Sequence, residues 1–307
     1  MFAIIFAIII ELFFDYFPDG APIEHYGPVG GILEKVDMRP WKEKNEDHLW
    51  VFWNLGPRLN GYNFTTHPKE QLVLFTWEPP TVQPELHDPR VHEQFGKVFT
   101  WDDDLVDNKK YFKFFYPVLK GRIPDVIPFK DKKFCTLIAR RLGSKHPKQL
   151  YKEREKTIRF FDDKEGEFDL YGHFWGKKKL RKNWRGPIPD KNAVLKGYKF
   201  SICYENTKDI KGYITEKIFD CFAAGVVPVY WGASNVTDYI PEECFIDRRK
   251  FKDNKKLYQF LKSITEKEYN QYLDAAEAFL KSEKAQLFSQ DHFTQNFLKV
   301  LVPETKL

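Results

Sequence analysis

The sequence predicts an α/β protein built on doubly wound parallel sheets, and three observations support that fold class. The chain has 307 residues, of which 42% are apolar, enough for a substantial core and for two domains rather than one. Continuous apolar runs such as "KFCTLIA" (133–139) are typical of parallel strands that are buried on both faces. Segments with helical periodicity alternate with these runs, which is the order that crossover helices produce.

The first part of the chain contains short apolar runs separated by turn-rich or charged stretches. These runs predict strands at 48–55, 71–77 and 97–101. The N-terminal run "MFAIIFAIIIELFF" lacks a basic region, is interrupted by Glu11, and is shorter than the ~20 residues that cross a bilayer. We interpret it as a buried first strand. A signal or anchor remnant is the alternative, and only that alternative would give membrane association.

The alternation becomes regular after the stretch "GRIPDVIPF" (121–129), which we interpret as a linker because of its two prolines. Strands are expected at 133–139, 168–172, 199–204 and 226–232. Helices are expected at 147–161, 213–225, 255–264, 266–282 and 291–301. The predicted domains are therefore 1–128 and 129–307.

Composition narrows the class of ligand. The net charge of +5 and the pI near 8.7 are too weakly basic to indicate a nucleic-acid partner, and the basic run at 177–185 is interpreted as a solvated loop. The same charge fits an anionic small ligand. The four cysteines form no CxxC pair, which argues against a zinc site and favours buried free thiols in a reducing compartment.

A polar loop between two apolar runs is the strongest functional signal. The segment "YENTKDIKGYITEK" (204–217) ends a predicted strand, and parallel α/β sheets bind ligands beyond the carboxyl ends of their strands. Lys217 lies in the first turn of the next helix, where it opposes the helix dipole and a bound phosphate would remove the conflict. Glu216 is able to accept two ribose hydroxyls. Asn206 and Tyr213 either orient a sugar or serve the turn and its packing.

Two further side chains are candidate functional residues because of the residues that surround them. Arg154 lies on the apolar face of the helix predicted at 147–161, so its guanidinium needs a partner, either a phosphate or a nearby acid. Glu78 ends a predicted strand beside Trp77, where desolvation would raise its pKa and suit a general base; the alternative is an ordinary loop acid. The other candidate bases are Glu85 and Asp102.

The triplet "WDDD" (101–104) resembles the DxD sequence of metal-dependent sugar transferases. We interpret it as a loop after a strand, because nothing else in the chain requires a cation. The sequence also lacks the phosphate-binding patterns GxxxxGK[ST] and GxGxxG after a strand, and the zinc motif HExxH. The expected site therefore contains no metal and no other cofactor.

The stretch "KFSICYENTKDIKGYITEKIFDCFAAGVVPVYWG" (199–232) resembles the donor-binding signature of the α-1,3-fucosyltransferases, glycosyltransferase family 10. "QLYKEREKTIRFF" followed by "FDLYG" resembles the bacterial branch of this family. The likeness continues through "CFIDRRKF" (244–251) to about residue 300. The N-terminal third shares chiefly the segment "LFTWEPP".

The resemblance implies the GT-B architecture, in which two Rossmann-like domains face a cleft, here an acceptor-binding domain (1–128) and a GDP-fucose-binding domain (129–307). It implies transfer of L-fucose from GDP-β-L-fucose, with inversion, to the 3-hydroxyl or the 4-hydroxyl of GlcNAc in N-acetyllactosamine-type glycans. No metal is strictly needed. By position, the diphosphate would be held by Lys217 and Arg154, the ribose by Glu216, the fucose and phosphate region by Asn206 and Tyr213, and the base would be Glu78.

Two other functions stay open. One is a two-domain transferase that uses a different nucleotide sugar. The other is a non-catalytic glycan-binding module, against which the intact set of glutamate, lysine and arginine argues. The resemblance to bacterial members implies a location in the cytoplasm or at the periphery of the inner membrane.

Overall fold

The computed structural model describes residues 10–14 (backbone only), 49–54, 65, 67–123, 127–175 and 182–301. Its described residues divide into two compact units, one drawn from 1–117 and 287–307 and the other from 118–286. Each unit contains a five-stranded parallel sheet. The predicted α/β class with two Rossmann-like domains is therefore confirmed.

The strands of the first unit follow chain order, whereas those of the second do not. In the first sheet the order is β1 (Ile10–Phe14), β2 (Leu49–Trp53), β3 (Leu72–Phe75), β4 (Lys97–Thr100) and β5 (Tyr111–Lys113). The strands of the second unit are β6 (Lys133–Ile138), β7 (Phe168–Tyr171), β8 (Tyr198–Tyr204), β9 (Val227–Trp231) and β10 (Ile246–Asp247). They pair in the order β10-β9-β8-β6-β7. The short strands β5 and β10 were not predicted, because three or two residues carry no pattern.

The helices of the described residues are α1 (Pro89–His92), α2 (Tyr151–Phe161), α3 (Lys191–Leu195), α4 (Glu216–Ala223), α5 (Val236–Tyr239), α6 (Asn254–Ser263), α7 (Glu266–Leu280), α8 (Glu283–Gln286) and α9 (Gln290–Leu301). Single 3₁₀ turns lie at Lys69–Gln71, Pro84–His87, Phe129–Asp131, Glu242–Cys244 and Arg248–Lys250. The long predicted helices are present, and the one expected over 213–225 begins later, at Glu216, because Thr215 has the extended backbone of an N-cap residue.

The predicted domain boundary lies between 128 and 129, whereas the two units divide between 117 and 118 and again between 286 and 287. The Ile123 N–H donates to the carbonyl of Ala223 at 2.8 Å, so the chain has already joined the second unit there. Helix α9 returns to the first unit, where Phe293 and Phe297 have ring centroids 5.9 and 5.6 Å from that of Phe75. An amphipathic helix needs an apolar partner, but its sequence does not say which sheet supplies it.

The remaining sequence predictions concern the N-terminus and the cysteines. The predicted first strand is present at Ile10–Phe14, paired in parallel with β2, and residues 1–9 lie outside the described part of the chain. All four cysteines are buried and free, as expected. No helix among the described residues combines the length and the apolar character that crossing a bilayer requires.

Candidate functional site

The second sheet has a topological switch point between β6 and β8. The chain continues from β6 to β7 on one side, and β8 then pairs with the other side of β6. Where strand order reverses in this way, a crevice opens beyond the carboxyl ends of the two strands. The ends of β6 and β8, together with α2, α3 and α4, line a recess there, and its cations are Arg154, Lys191 and Lys217.

A buried carboxylate directly after β8 organises the predicted polar loop. Glu205 is fully buried, and its N–H donates to the carbonyl of Trp231 at 2.8 Å. Its carboxylate accepts the N–H of Thr215 at 2.9 Å and the Thr215 hydroxyl at 2.8 Å. Gly232 leaves room for this arrangement, because a Cβ there would overlap the Tyr230 hydroxyl and lie 2.6 Å from Cγ of Glu205. Glu205 therefore joins the two ends of the loop, and the sequence analysis gave it no role.

Lys217 is held by this same carboxylate. Its Nζ lies 3.0 Å from Oε2 of Glu205, 2.9 Å from the Thr215 hydroxyl and 3.4 Å from Oε1 of Glu216. Burial opposes its charge, but the carboxylates of Glu205 and Glu216 outweigh burial and raise the pKa of Lys217. These two carboxylates therefore already offset the unfavourable position of the Lys217 charge at the helix N-terminus. The sequence analysis expected a bound phosphate to do this.

The N-cap residue of α4 does not cap the helix with its side chain. Thr215 occupies the N-cap position, but its hydroxyl donates to Glu205 instead of accepting from the N–H groups of the first turn. Uncapped N–H groups and the helix dipole together attract an anion. Lys217, whose side chain is 21% exposed, extends from the same turn.

Arg154 is a buried guanidinium that has no carboxylate within 4 Å in the described part of the chain. The residue is 4% exposed, and its Nη2 donates to the Tyr204 carbonyl at 2.5 Å and to Oδ1 of Asn206 at 3.0 Å. Burial lowers its pKa, though a guanidinium stays charged at physiological pH. Its hydrogen bonds go only to neutral groups, while the more distant carboxylate of Glu205 also favours its charge. An anion in direct contact would stabilise this buried cation further.

Lys191 is the third cation of the recess, and the sequence analysis missed it. Its Nζ lies 2.7 Å from Oδ2 of Asp220, a carboxylate in the middle of α4 whose Oδ1 also accepts from Lys120 at 2.6 Å. Burial opposes the charge of Lys191, but Asp220 and Glu216 raise its pKa. Only the preceding N-cap, Asp190, marks this lysine in the sequence, and an N-cap signal indicates a helix start rather than a ligand.

The other predicted donor-site residues surround this group. Asn206 is half-buried and orients Arg154 through its side-chain oxygen. Burial opposes ionisation of Glu216, yet Lys217 and Lys191 lower its pKa to about 2, and its side chain is 47% exposed. Tyr213 is 2% exposed. The structure therefore brings together Arg154, Asn206, Glu216 and Lys217, with Tyr213 in the buried part of the same loop.

The predicted base lies in the other unit. Glu78 follows β3, is half-buried, and its N–H donates to Oδ1 of Asn54 at 3.0 Å, as does the N–H of Trp77. The carbonyl oxygen of Glu78 is 2.9 Å from Nε2 of His87. Asp102, directly beyond the neighbouring strand β4, is also half-buried, and burial raises its pKa. Glu85, the other alternative, is exposed.

The aspartates of "WDDD" take part in local structure. Asp103 lies 2.5 Å from Nζ of Lys113, and Oδ1 of Asp102 accepts the N–H of Asp104 at 3.1 Å. Over the ranges that the structure describes, no group of three or more His, Cys, Asp or Glu side chains is placed to hold a metal ion.

The sequence similarity to known proteins lies mainly in the second unit. The family model described as "Glycosyltransferase family 10 (fucosyltransferase) C-term" matches residues 127–299. The Alpha-(1,3)-fucosyltransferase FucT of Helicobacter pylori is 36% identical over 88 residues, which are 28% of this chain and 18% of that protein. The 4-galactosyl-N-acetylglucosaminide 3-alpha-L-fucosyltransferase 9 of Homo sapiens is 30% identical over 142 residues, 45% of this chain and 34% of that protein. The alignments thus span roughly a fifth to a third of these relatives' own length.

A solved structure covers more of the chain. A crystal structure of an alpha1,3-fucosyltransferase with GDP superposes with a TM-score of 0.60 over 97% of this chain and 91% of that one. The identity is 16%, so this likeness concerns the fold alone.

Proposed function

Because the chain belongs to glycosyltransferase family 10, we propose that it transfers L-fucose from GDP-β-L-fucose to the 3-hydroxyl of GlcNAc in N-acetyllactosamine-type glycans. The observation that carries this proposal is Arg154, a buried guanidinium without a carboxylate partner among the described residues, beside Lys217 at an uncapped helix N-terminus. A diphosphate would supply an anion in direct contact with this guanidinium. The structural relative crystallised with GDP supports the same donor class.

The chemistry of the donor follows from these fixed charges. As the bond between fucose C1 and the β-phosphate oxygen breaks, its electron pair leaves with GDP, whose negative charge grows. Lys217, Arg154 and the first turn of α4 are positive groups already in place, so they stabilise the leaving group without reorganisation. Glu216 would bind the ribose hydroxyls, and Asn206 and Tyr213 would border the fucose and phosphate region. No metal ion or other cofactor is needed in this proposal, and turnover should survive EDTA.

The acceptor step needs a base, and Glu78 is proposed for that role. The acceptor oxygen attacks C1 on the face opposite the leaving phosphate, its proton passes to the carboxylate, and the β-linked donor gives an α-linked product with inversion. Asp102 is the rival base, because it too follows a strand of the first sheet and burial raises its pKa. The 4-hydroxyl of GlcNAc is the alternative acceptor.

One assay tests the proposal. GDP-fucose is incubated with Galβ1-4GlcNAc and Galβ1-3GlcNAc, with other nucleotide sugars as alternative donors, and the products are identified by mass and linkage. A fucosylated product from GDP-fucose alone is the expected result. Product from a different donor would favour the second transferase hypothesis. Tight GDP binding or glycan binding without turnover would favour the non-catalytic module.

A further inference from the structure

Phe174 has an unusual backbone conformation on an exposed loop. The described residues other than glycine that have positive φ are Asn54, Asn108, Asp209 and Phe174. Asn and Asp enter this region readily because their short polar side chains bond locally, whereas a bulky aromatic residue does so rarely. Phe174 has φ of 67° and is 51% exposed, so neither local hydrogen bonding nor burial of its ring explains the strained conformation.

The loop that carries Phe174 is fixed to the end of the neighbouring strand. The N–H of Arg141 donates to the His173 carbonyl at 3.0 Å, and Nε1 of the buried Trp175 donates to the Ala139 carbonyl at 2.6 Å. Gly172, with φ of 121°, allows this close approach, because a Cβ there would overlap the Ala139 carbonyl oxygen. With Trp175 anchored inward, the ring of Phe174 is left on the outside.

This loop adjoins the recess described above. It follows β7, which pairs with β6, and it accordingly lies at the same carboxyl edge of the second sheet. Ala139, whose carbonyl anchors Trp175, also lines the recess that contains Arg154 and Lys217. The guanidinium carbon of Arg140 is 4.8 Å from the centroid of the Phe174 ring. An exposed ring with a guanidinium over it is a platform for another planar group.

We infer that Phe174, supported by Arg140, is the surface on which the guanine base of the donor stacks. This inference rests on the proposed function, since it takes GDP as the ligand whose diphosphate lies at Arg154 and Lys217. With the diphosphate at the ends of β8 and β6, the nucleoside would extend along the same edge toward β7, the strand beside β6. The strained backbone would then serve to hold the ring in position before the ligand binds.

Calorimetric titration with GDP and with inorganic pyrophosphate tests the inference. Phe174→Ala should raise the Kd for GDP about tenfold, as expected for the loss of one base–aromatic stack, and leave the Kd for pyrophosphate unchanged. Phe174→Trp should keep the GDP affinity. Leu105→Ala removes an exposed apolar side chain from the first unit, and this control should change neither value.

A pair of variants separates strain from binding. Glycine adopts positive φ without cost and alanine does not, so Phe174→Gly should melt at a higher temperature than Phe174→Ala while binding GDP equally weakly. Unchanged GDP affinity in Phe174→Ala would overturn the inference. So would a rise confined to the KM for the acceptor, which would instead assign Phe174 to the acceptor. If the unaltered protein binds neither GDP nor pyrophosphate, the proposed function itself has failed.

Discussion

Different kinds of side chain lie beyond the carboxyl ends of the strands in the two parallel sheets. Beyond the second sheet, Arg154, Lys191 and Lys217 lie among the carboxylates of Glu205, Glu216 and Asp220. Beyond the first, aromatic rings predominate: the ring centroids of Trp53 and Trp77 are 4.6 Å apart, and those of Trp77 and Phe114 are 5.4 Å apart. The backbone there is held by the buried side chain of Asn54, which accepts the N–H groups of Trp77 and Glu78.

This difference suggests a division of labour between the units. A set of fixed charges suits a ligand with a diphosphate. The rings beyond the first sheet pack against Phe293 of α9, and the half-buried carboxylates of Glu78 and Asp102 are the groups there that suit the removal of one proton. Variants of the first sheet should therefore change the chemical step, whereas variants of the second sheet should change donor binding or the stability of the donor loop.

Replacing the proposed base should have the largest effect. Glu78→Gln keeps the shape of the side chain but cannot take the proton, so kcat should fall by about 10²–10⁴-fold while GDP affinity stays nearly intact. Asp102→Asn and Glu85→Gln, assayed side by side with N-acetyllactosamine, serve as controls. If Glu78→Gln keeps most of its rate and Asp102→Asn loses it, the base is Asp102, and the account of the second sheet is unaffected.

The buried ion pair of the second sheet should dominate the stability of its loop. Lys217→Met leaves Glu205 buried without its cation, which should lower the free energy of unfolding by about 3 kcal/mol. Adding Glu205→Gln removes the stranded charge, so the double variant should recover part of the loss. Urea denaturation in the absence of nucleotide measures both values. Effects that simply add would show that the two side chains are not coupled.

Some residues of the candidate site could be predicted from the sequence because they lie close together along the chain. Asn206, Tyr213, Glu216 and Lys217 lie within one short segment, so their grouping follows from chain continuity and the strand-to-helix order. Arg154 was found from its place on an apolar helical face, which the structure confirms as buried. For these residues a local pattern was enough.

The rest depends on contacts between distant segments. Asp220 joins Lys120 and Lys191, which are separated from it by 100 and 29 residues, and no local pattern indicates such a group. The sequence places Glu205 in the polar loop without indicating its role, because only the fold shows that it is fully buried against Thr215 and Lys217. The strained backbone of Phe174 likewise depends on the anchoring of its neighbours to β6.

The pH dependence of stability gives a smaller effect. The pKa of Glu216 is lowered from 4.5 to about 2 in the folded protein, so the unfolded chain takes up the proton first as pH falls. Its contribution is complete above pH 4.5 and disappears as pH falls from 4.5 to about 2. Because this side chain is 47% exposed, solvent screening limits the contribution to about 1 kcal/mol or less. Glu216→Gln should flatten the curve of unfolding free energy over that range, and a curve that keeps its slope would contradict the assignment.

The most direct test of the account is calorimetric titration of Arg154→Met with GDP, with Arg159→Met as the control. Both residues lie on α2, but the side chain of Arg159 is 68% exposed and outside the recess. Losing a charge-assisted contact to a buried phosphate costs about 1.5–3 kcal/mol, so Arg154→Met should bind GDP roughly 10- to 100-fold more weakly, and Arg159→Met should bind it normally. Equal GDP affinity in the two variants, with both folded, would contradict the central claim that Arg154 holds the donor diphosphate.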